Sequence, residues 1–169
     1  MKGGSHHVIQ IAGTRRGVAV AALGAGCGHA EGGSDNFTNV LVVTSSNTIE
    51  QGTQSLSSYE VDGVARNDAG GPMFNLFGVR CVGVEEGPGP GKFTGHGTCT
   101  YTDTDGDNIF TPYSASIGRR GTFAVTGGTG KFAGITGNGE WRRIDPVPIK
   151  SDDKRARAVV SLTISWKLP

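Results

Sequence analysis

Between Phe37 and Lys167 apolar residues recur at every second position and not at every third and fourth, the period of a strand that buries one face. Clusters of Gly, Pro, Asn and Asp cut this stretch into eight segments. The first, Phe37 to Thr44, carries Val40, Leu41, Val42 and Val43, and the second, Ser55 to Arg66, puts Tyr59, Val61, Gly63 and Ala65 on one face. The third runs from Phe74 to Glu85 and leads into a Gly-Pro-Gly-Pro-Gly loop at 87–91. In the fourth, Phe93 to Asp103, one face holds Phe93, Gly95, Gly97, Cys99 and Tyr101, while His96, Thr98, Thr100 and Thr102 are on the other. A fifth segment, Asn108 to Ile117, follows the Asp105-Gly106 turn; the sixth is Gly121 to Val125 and the seventh Ile135 to Ile144. The last sets Ala156, Ala158, Val160, Leu162, Ile164 and Trp166 against Arg157, Val159, Ser161, Thr163, Ser165 and Lys167. Eight such segments on short turns predict an all-β fold, an eight-stranded antiparallel closed barrel, because closure leaves no edge exposed. Its interior has room for side chains or for one small ligand.

Composition agrees with that pattern. The 29 glycines among 169 residues weaken helices and serve tight turns, and the length suits one domain. The expected division is a flexible N-terminal tail or export segment at 1–33 and a barrel domain at 34–169. With 16 Lys plus Arg against 15 Asp plus Glu, no net field draws the chain to nucleic acid or to an anionic membrane. Nor does any apolar run approach the roughly 20 residues of a helical membrane span. At the N-terminus, Arg15 and Arg16 precede an apolar run from Val18 to Ala25, the order of an export signal, and Cys27 follows where lipoproteins are processed. A flexible tail or an artificial leader accounts for the same residues. Location is therefore open between export, with or without a lipid anchor, and the cytoplasm.

Three motifs suggest chemistry and fail on spacing. Asp103-Thr104-Asp105-Gly106-Asp107 begins like a calcium loop, but its Gly stands fourth instead of sixth and Ser114 occupies the place of the closing Glu. A hairpin turn is expected there, with no metal. Gly127-Gly128-Thr129-Gly130-Lys131 has too few residues before its Gly-Lys pair for a phosphate loop, and Phe132 follows where Ser or Thr is needed, so it reads as a glycine corner. His6, His7, His29 and His96 have no metal-ligand spacing, and no nucleophile-base signature or cofactor motif is present. Three cysteines leave at least one free, lipidated or paired with another chain; Cys81 and Cys99 are the candidate pair, with two buried thiols as the alternative.

The run Val125-Thr126-Gly127-Gly128-Thr129-Gly130-Lys131-Phe132-Ala133-Gly134-Ile135-Thr136-Gly137 resembles the Gly-Gly-Thr-Gly-Lys-Phe-x-Gly-x-x-Gly segment of the allene oxide cyclase and dirigent superfamily. The acidic turn at 103–107 is similar to that of bacterial-type members. The resemblance implies an eight-stranded barrel, often trimeric, whose apolar cavity binds a lipid-derived or phenolic small molecule. It further implies a cyclase or isomerase that steers a reactive intermediate. The alternative, from another class, is a non-enzymatic exported barrel that binds an apolar ligand or self-assembles. If the face holding Tyr59 and Val61 and that holding Tyr101 point inward, two phenols line the lumen, and Trp141 with Arg143 joins them from the seventh segment. Tyr59, Tyr101 and Arg143 are thus the candidate site residues, Arg143 as the group for a carboxylate or a developing oxyanion. Core phenols and a solvated rim charge are the competing reading. Glu140 has the opposite parity to Arg143, so one of the two faces inward.

Overall fold

The computed structural model describes residues 31–88, 92–144 and 157–169. The readings of His6, His7, Cys27, His29, Ala156 and the 89–91 part of the glycine-proline loop lie outside these residues, as do residues 1–30 of the expected tail or export segment. The strands are β1 (Gly32–Gln51), β2 (Gln54–Asn67), β3 (Phe77–Gly87), β4 (Thr94–Thr102), β5 (Asn108–Ser116), β6 (Arg120–Val125), β7 (Gly127–Gly128), β8 (Thr136–Ile144) and β9 (Arg157–Lys167). All pairings are antiparallel. Setting aside the two-residue β7, each strand lies beside its chain neighbour, and β9 returns to β1. The result is a closed eight-stranded antiparallel barrel built as a simple meander. A single 3-10 turn, Gly130–Phe132, is the helical element among the described residues, and none of them forms a helix long and apolar enough to cross a membrane.

Pro112 lies inside β5, where a missing N–H would normally disrupt a central strand. The pairing accommodates it: β6 covers Tyr113 to Ser116, β7 covers Ile109 and Phe110, and Pro112 falls in the gap between them.

The barrel is packed at one end. Phe37, Phe74, Phe77, Tyr101, Ile109 and Phe132 are all buried there. Phe74 was expected to begin the third strand, but that strand starts at Phe77 and Phe74 belongs to the preceding loop, with φ at 54°. Asn67 causes this. Its side-chain Oδ1 accepts from the Ala69 and Gly71 amides at 3.0 and 3.1 Å, while its Nδ2 donates to Met73 O and to Asp35 at 2.9 and 2.8 Å. The loop so folded drives the Phe74 ring into the barrel end, stacked on Phe37 at 4.4 Å and edge-on to Tyr101 at 5.2 Å. Ring contacts of about 0.5–1.5 kcal/mol each, added to burial, offset the strained backbone.

Two of the discounted motifs pack against each other. Asp103 Oδ1 accepts from the Asp105 and Asp107 amides, both at 2.9 Å, and makes the turn; its other oxygen pairs with Lys131, which also reaches Asp105. Asp107 accepts from the Lys131 amide at 3.1 Å. The acidic run and the glycine corner are therefore one clasp at the packed end, with an ammonium between the carboxylates. Burial alone would raise the Asp103 carboxyl, but Lys131 and the two backbone amides outweigh it and lower its pKa.

Candidate binding cavity

The other end of the barrel is open and leads into a cavity of about 440 Å³. Glycine makes the room. A side chain at Gly83 or Gly97 would overlap the Tyr113 hydroxyl, and one at Gly139 the Phe123 ring, so inward aromatic rings lie over bare backbone instead of meeting other side chains. Leu41, Val61, Phe123, Val160 and Leu162 supply apolar wall. Cys81 and Cys99, directly opposite each other on β3 and β4, form a disulfide within that wall.

All three tyrosines of the chain line the cavity. Tyr101 is at the floor, 2% exposed, and its hydroxyl accepts from Asn39 Nδ2 at 2.9 Å. Tyr59 and Tyr113 stand higher, half-buried, their hydroxyls 2.5 Å apart, and Trp141 meets Tyr113 edge-on at 6.3 Å. Burial raises the pKa of each phenol. For Tyr59 the hydrogen bond with Tyr113 opposes this, for Tyr101 that with Asn39 does, and for Tyr113 the proximity of Tyr59 and Glu85 adds to it. The phenols are consequently neutral hydrogen-bonding groups at ordinary pH.

Charge collects at the mouth. Glu85, Arg119, Arg143 and Arg157 line it, and Arg143 Nη2 donates to the Arg157 carbonyl at 3.1 Å. Burial raises the Glu85 carboxyl and the charge of Arg143 partly offsets that. The three residues proposed from sequence thus share one cavity at different depths: Tyr101 at the floor, Tyr59 midway and Arg143 exposed at the mouth. Glu140 is exposed and not part of the lining. His96 also faces outward and is exposed, and among the described residues no three His, Cys, Asp or Glu side chains are grouped to hold a metal.

Sequence reasoning missed Tyr113 and Asn39. The period-two phase of β5, in which Ile109, Thr111, Tyr113 and Ala115 share a face, was the available signal for the first. For Asn39 the signal was a polar residue in phase with Phe37 and Leu41, hidden by the unbroken apolar run from Val40 to Val43.

No protein-family model matches the chain, and no curated protein matches it. Solved structures do match. The pterocarpan synthase dirigent protein GePTS1 superposes with a TM-score of 0.50 at 14% identity, over 82% of this chain and 91% of that one. A second pterocarpan synthase dirigent protein, PsPTS1, gives a TM-score of 0.48 at 13% identity, over 80% and 95%. The meander closed from β9 to β1, together with the first of these likenesses, identifies the fold as a dirigent-like β-barrel.

Proposed function

We propose that this protein is a small-molecule-binding barrel whose lumen takes a largely apolar, lipid-derived or phenolic molecule and favours its cyclisation or isomerisation. The observation that carries the reading is the open cavity of about 440 Å³ with apolar walls, neutral phenols within and arginines at its mouth. Apolar burial supplies most of the affinity of such a chamber, at roughly 25 cal/mol per Å², and a few polar groups set orientation. Its groups suit ring closure or rearrangement better than hydrolysis: Tyr59, Tyr113 and Arg143 can donate to oxygen as charge develops on it, and the walls restrict the conformers that react. A name that includes pterocarpan synthase, borne by a neighbour with the same fold, fits this class of chemistry, although likeness at 14% identity supports the fold alone. The allene oxide cyclase side of the resemblance and the bacterial-type assignment belong to the same proposal. The disulfide suits an oxidising compartment and hence the exported form.

Filling the lumen tests the proposal. Gly97 cannot serve for this, because even a methyl group there would overlap Tyr113 and the Val82 carbonyl. Ala158 lines the cavity. Ala158→Trp should stay folded and remove on the order of 100 Å² of ligand contact, about 2.5 kcal/mol, so that an apolar fluorescent probe binds at least about tenfold more weakly. A folded variant that keeps wild-type affinity would refute the lumen as the site.

A second reading, self-assembly, has its own observation. Ile144, Val159, Val40 and Val64 are successive cross-strand partners on the outer face, and Val40 is 56% exposed. This apolar row, crossing four strands, suits a dimer or trimer of the chain.

A further inference from the structure

The cavity floor contains a polar group without a partner. Asn39 is 3% exposed and lines the cavity, and its Oδ1 has no hydrogen-bond partner. Its Nδ2 donates to the Tyr101 hydroxyl, which leaves the tyrosine's own proton without an acceptor among the described residues. Buried polar atoms are paired in the great majority of cases, and leaving an acceptor unpaired is costly. Thr111, the other buried hydroxyl of the lining, is already engaged, donating to the Cys99 carbonyl at 3.3 Å.

We infer that the Asn39–Tyr101 pair is the anchor for a neutral hydroxyl group at the leading end of the ligand, and that it selects such molecules over their deoxy analogues. The inference rests on the lumen being the binding chamber. Its chemistry is complementary on both sides: the ligand hydroxyl donates to Asn39 Oδ1 and accepts from the Tyr101 hydroxyl. Turning the Asn39 amide over exchanges the partners without changing the match, because Tyr101 then donates to Oδ1 while Nδ2 and the tyrosine oxygen face the ligand. In both orientations the pair presents one donor and one acceptor. A hydroxyl answers both at a single atom, whereas a carboxylate, which only accepts, leaves the acceptor facing it unpaired. The arginines at the mouth are the separate place for an anionic group, at the opposite end of the same molecule.

The test compares 2-naphthol with 2-methylnaphthalene, both intrinsically fluorescent and close in shape. Wild-type protein should bind the naphthol about tenfold more tightly, the range set by one buried hydrogen-bonded group. Asn39→Leu should bring the two affinities together while 2-methylnaphthalene still binds. Should Asn39→Leu fail to fold, Tyr101→Phe removes the other half of the pair and should also shrink the preference. Equal binding of the two probes by wild type, as expected if water fills the floor, would overturn the anchor and leave the chamber standing. A preference that persists in both variants would overturn it too, by placing the hydroxyl elsewhere, for example at Tyr59 and Tyr113. Failure of both probes to bind wild type would overturn the chamber reading and the anchor together.

Discussion

Glu85 is the residue at which the mouth of the cavity and its interior meet. It shares the mouth with Arg119, Arg143 and Arg157, and its charge also raises the pKa of Tyr59 and Tyr113. Burial makes its own carboxyl hold its proton to higher pH, against the pull of Arg143. A raised folded-state pKa means that the group favours folding fully below the unfolded carboxyl pKa, and that this contribution is lost as pH rises through the folded value. At neutral pH the carboxylate is therefore a partly desolvated charge that the protein tolerates. Glu85→Gln should not destabilise the barrel at pH 7. The expectation is a small rise in melting temperature, no more than about 4 °C since the group is partly solvated and screened, and the difference should close as pH is lowered toward 4. A melting curve in which the variant is less stable at pH 7 would mean that the pairing with Arg143 outweighs burial.

The elements at the packed end are held by the clasp between the 103–107 turn and the 127–134 corner. Gly130 has φ of 52°, and a Cβ there would overlap the Asp107 carboxylate. Gly130→Ala therefore meets two penalties, a left-handed backbone of about 1–3 kcal/mol and a clash that displaces the turn. Removing the carboxylate relieves the second. In chemical denaturation the Asp107→Ala/Gly130→Ala double variant should lose less stability than the sum of the single variants, by about 0.5–2 kcal/mol. Strict additivity would show that the turn and the corner are independent. The same packing accounts for the two motifs whose spacing departs from metal and phosphate sites: the carboxylates of one meet the ammonium and amides of the other.

For the whole molecule, the two proposed readings use separate surfaces: the apolar interior open at one end for a ligand, and the apolar row on the outer face for a copy of the chain. Val40 lies in the middle of that row, directly opposite Val64 and Val159. A charge introduced there is solvated in a monomer and buried unpaired in an assembly. Val40→Asp should leave the fold intact and shift the mass measured by light scattering from oligomer to monomer at micromolar concentration. A wild-type protein that is already monomeric would end the self-assembly reading. If the variant dissociates yet binds the apolar probe as wild type does, the lumen works within a single chain.

The class of fold was legible in the chain itself, because period-two alternation from Phe37 to Lys167 is a local property that leaves each segment one buried face. Parity grouped Tyr59 with Val61 and Tyr101 with Cys99 on single faces, and closure of the barrel turned both faces toward the lumen. Parity gives no information where it is broken, and so Asn39, beside four consecutive apolar residues, was invisible as a lumen residue. Depth was equally hidden: Tyr101 and Arg143 were assigned to one site, and tertiary packing set the first at the floor and the second at the mouth. Nor could alternation show that Phe74 leaves the strand pattern, since four hydrogen bonds from Asn67 fold that loop. The cavity itself is a property of closure. It exists because Gly83, Gly97 and Gly139 face inward beside aromatic rings from neighbouring strands, a juxtaposition that only the register of the closed barrel decides.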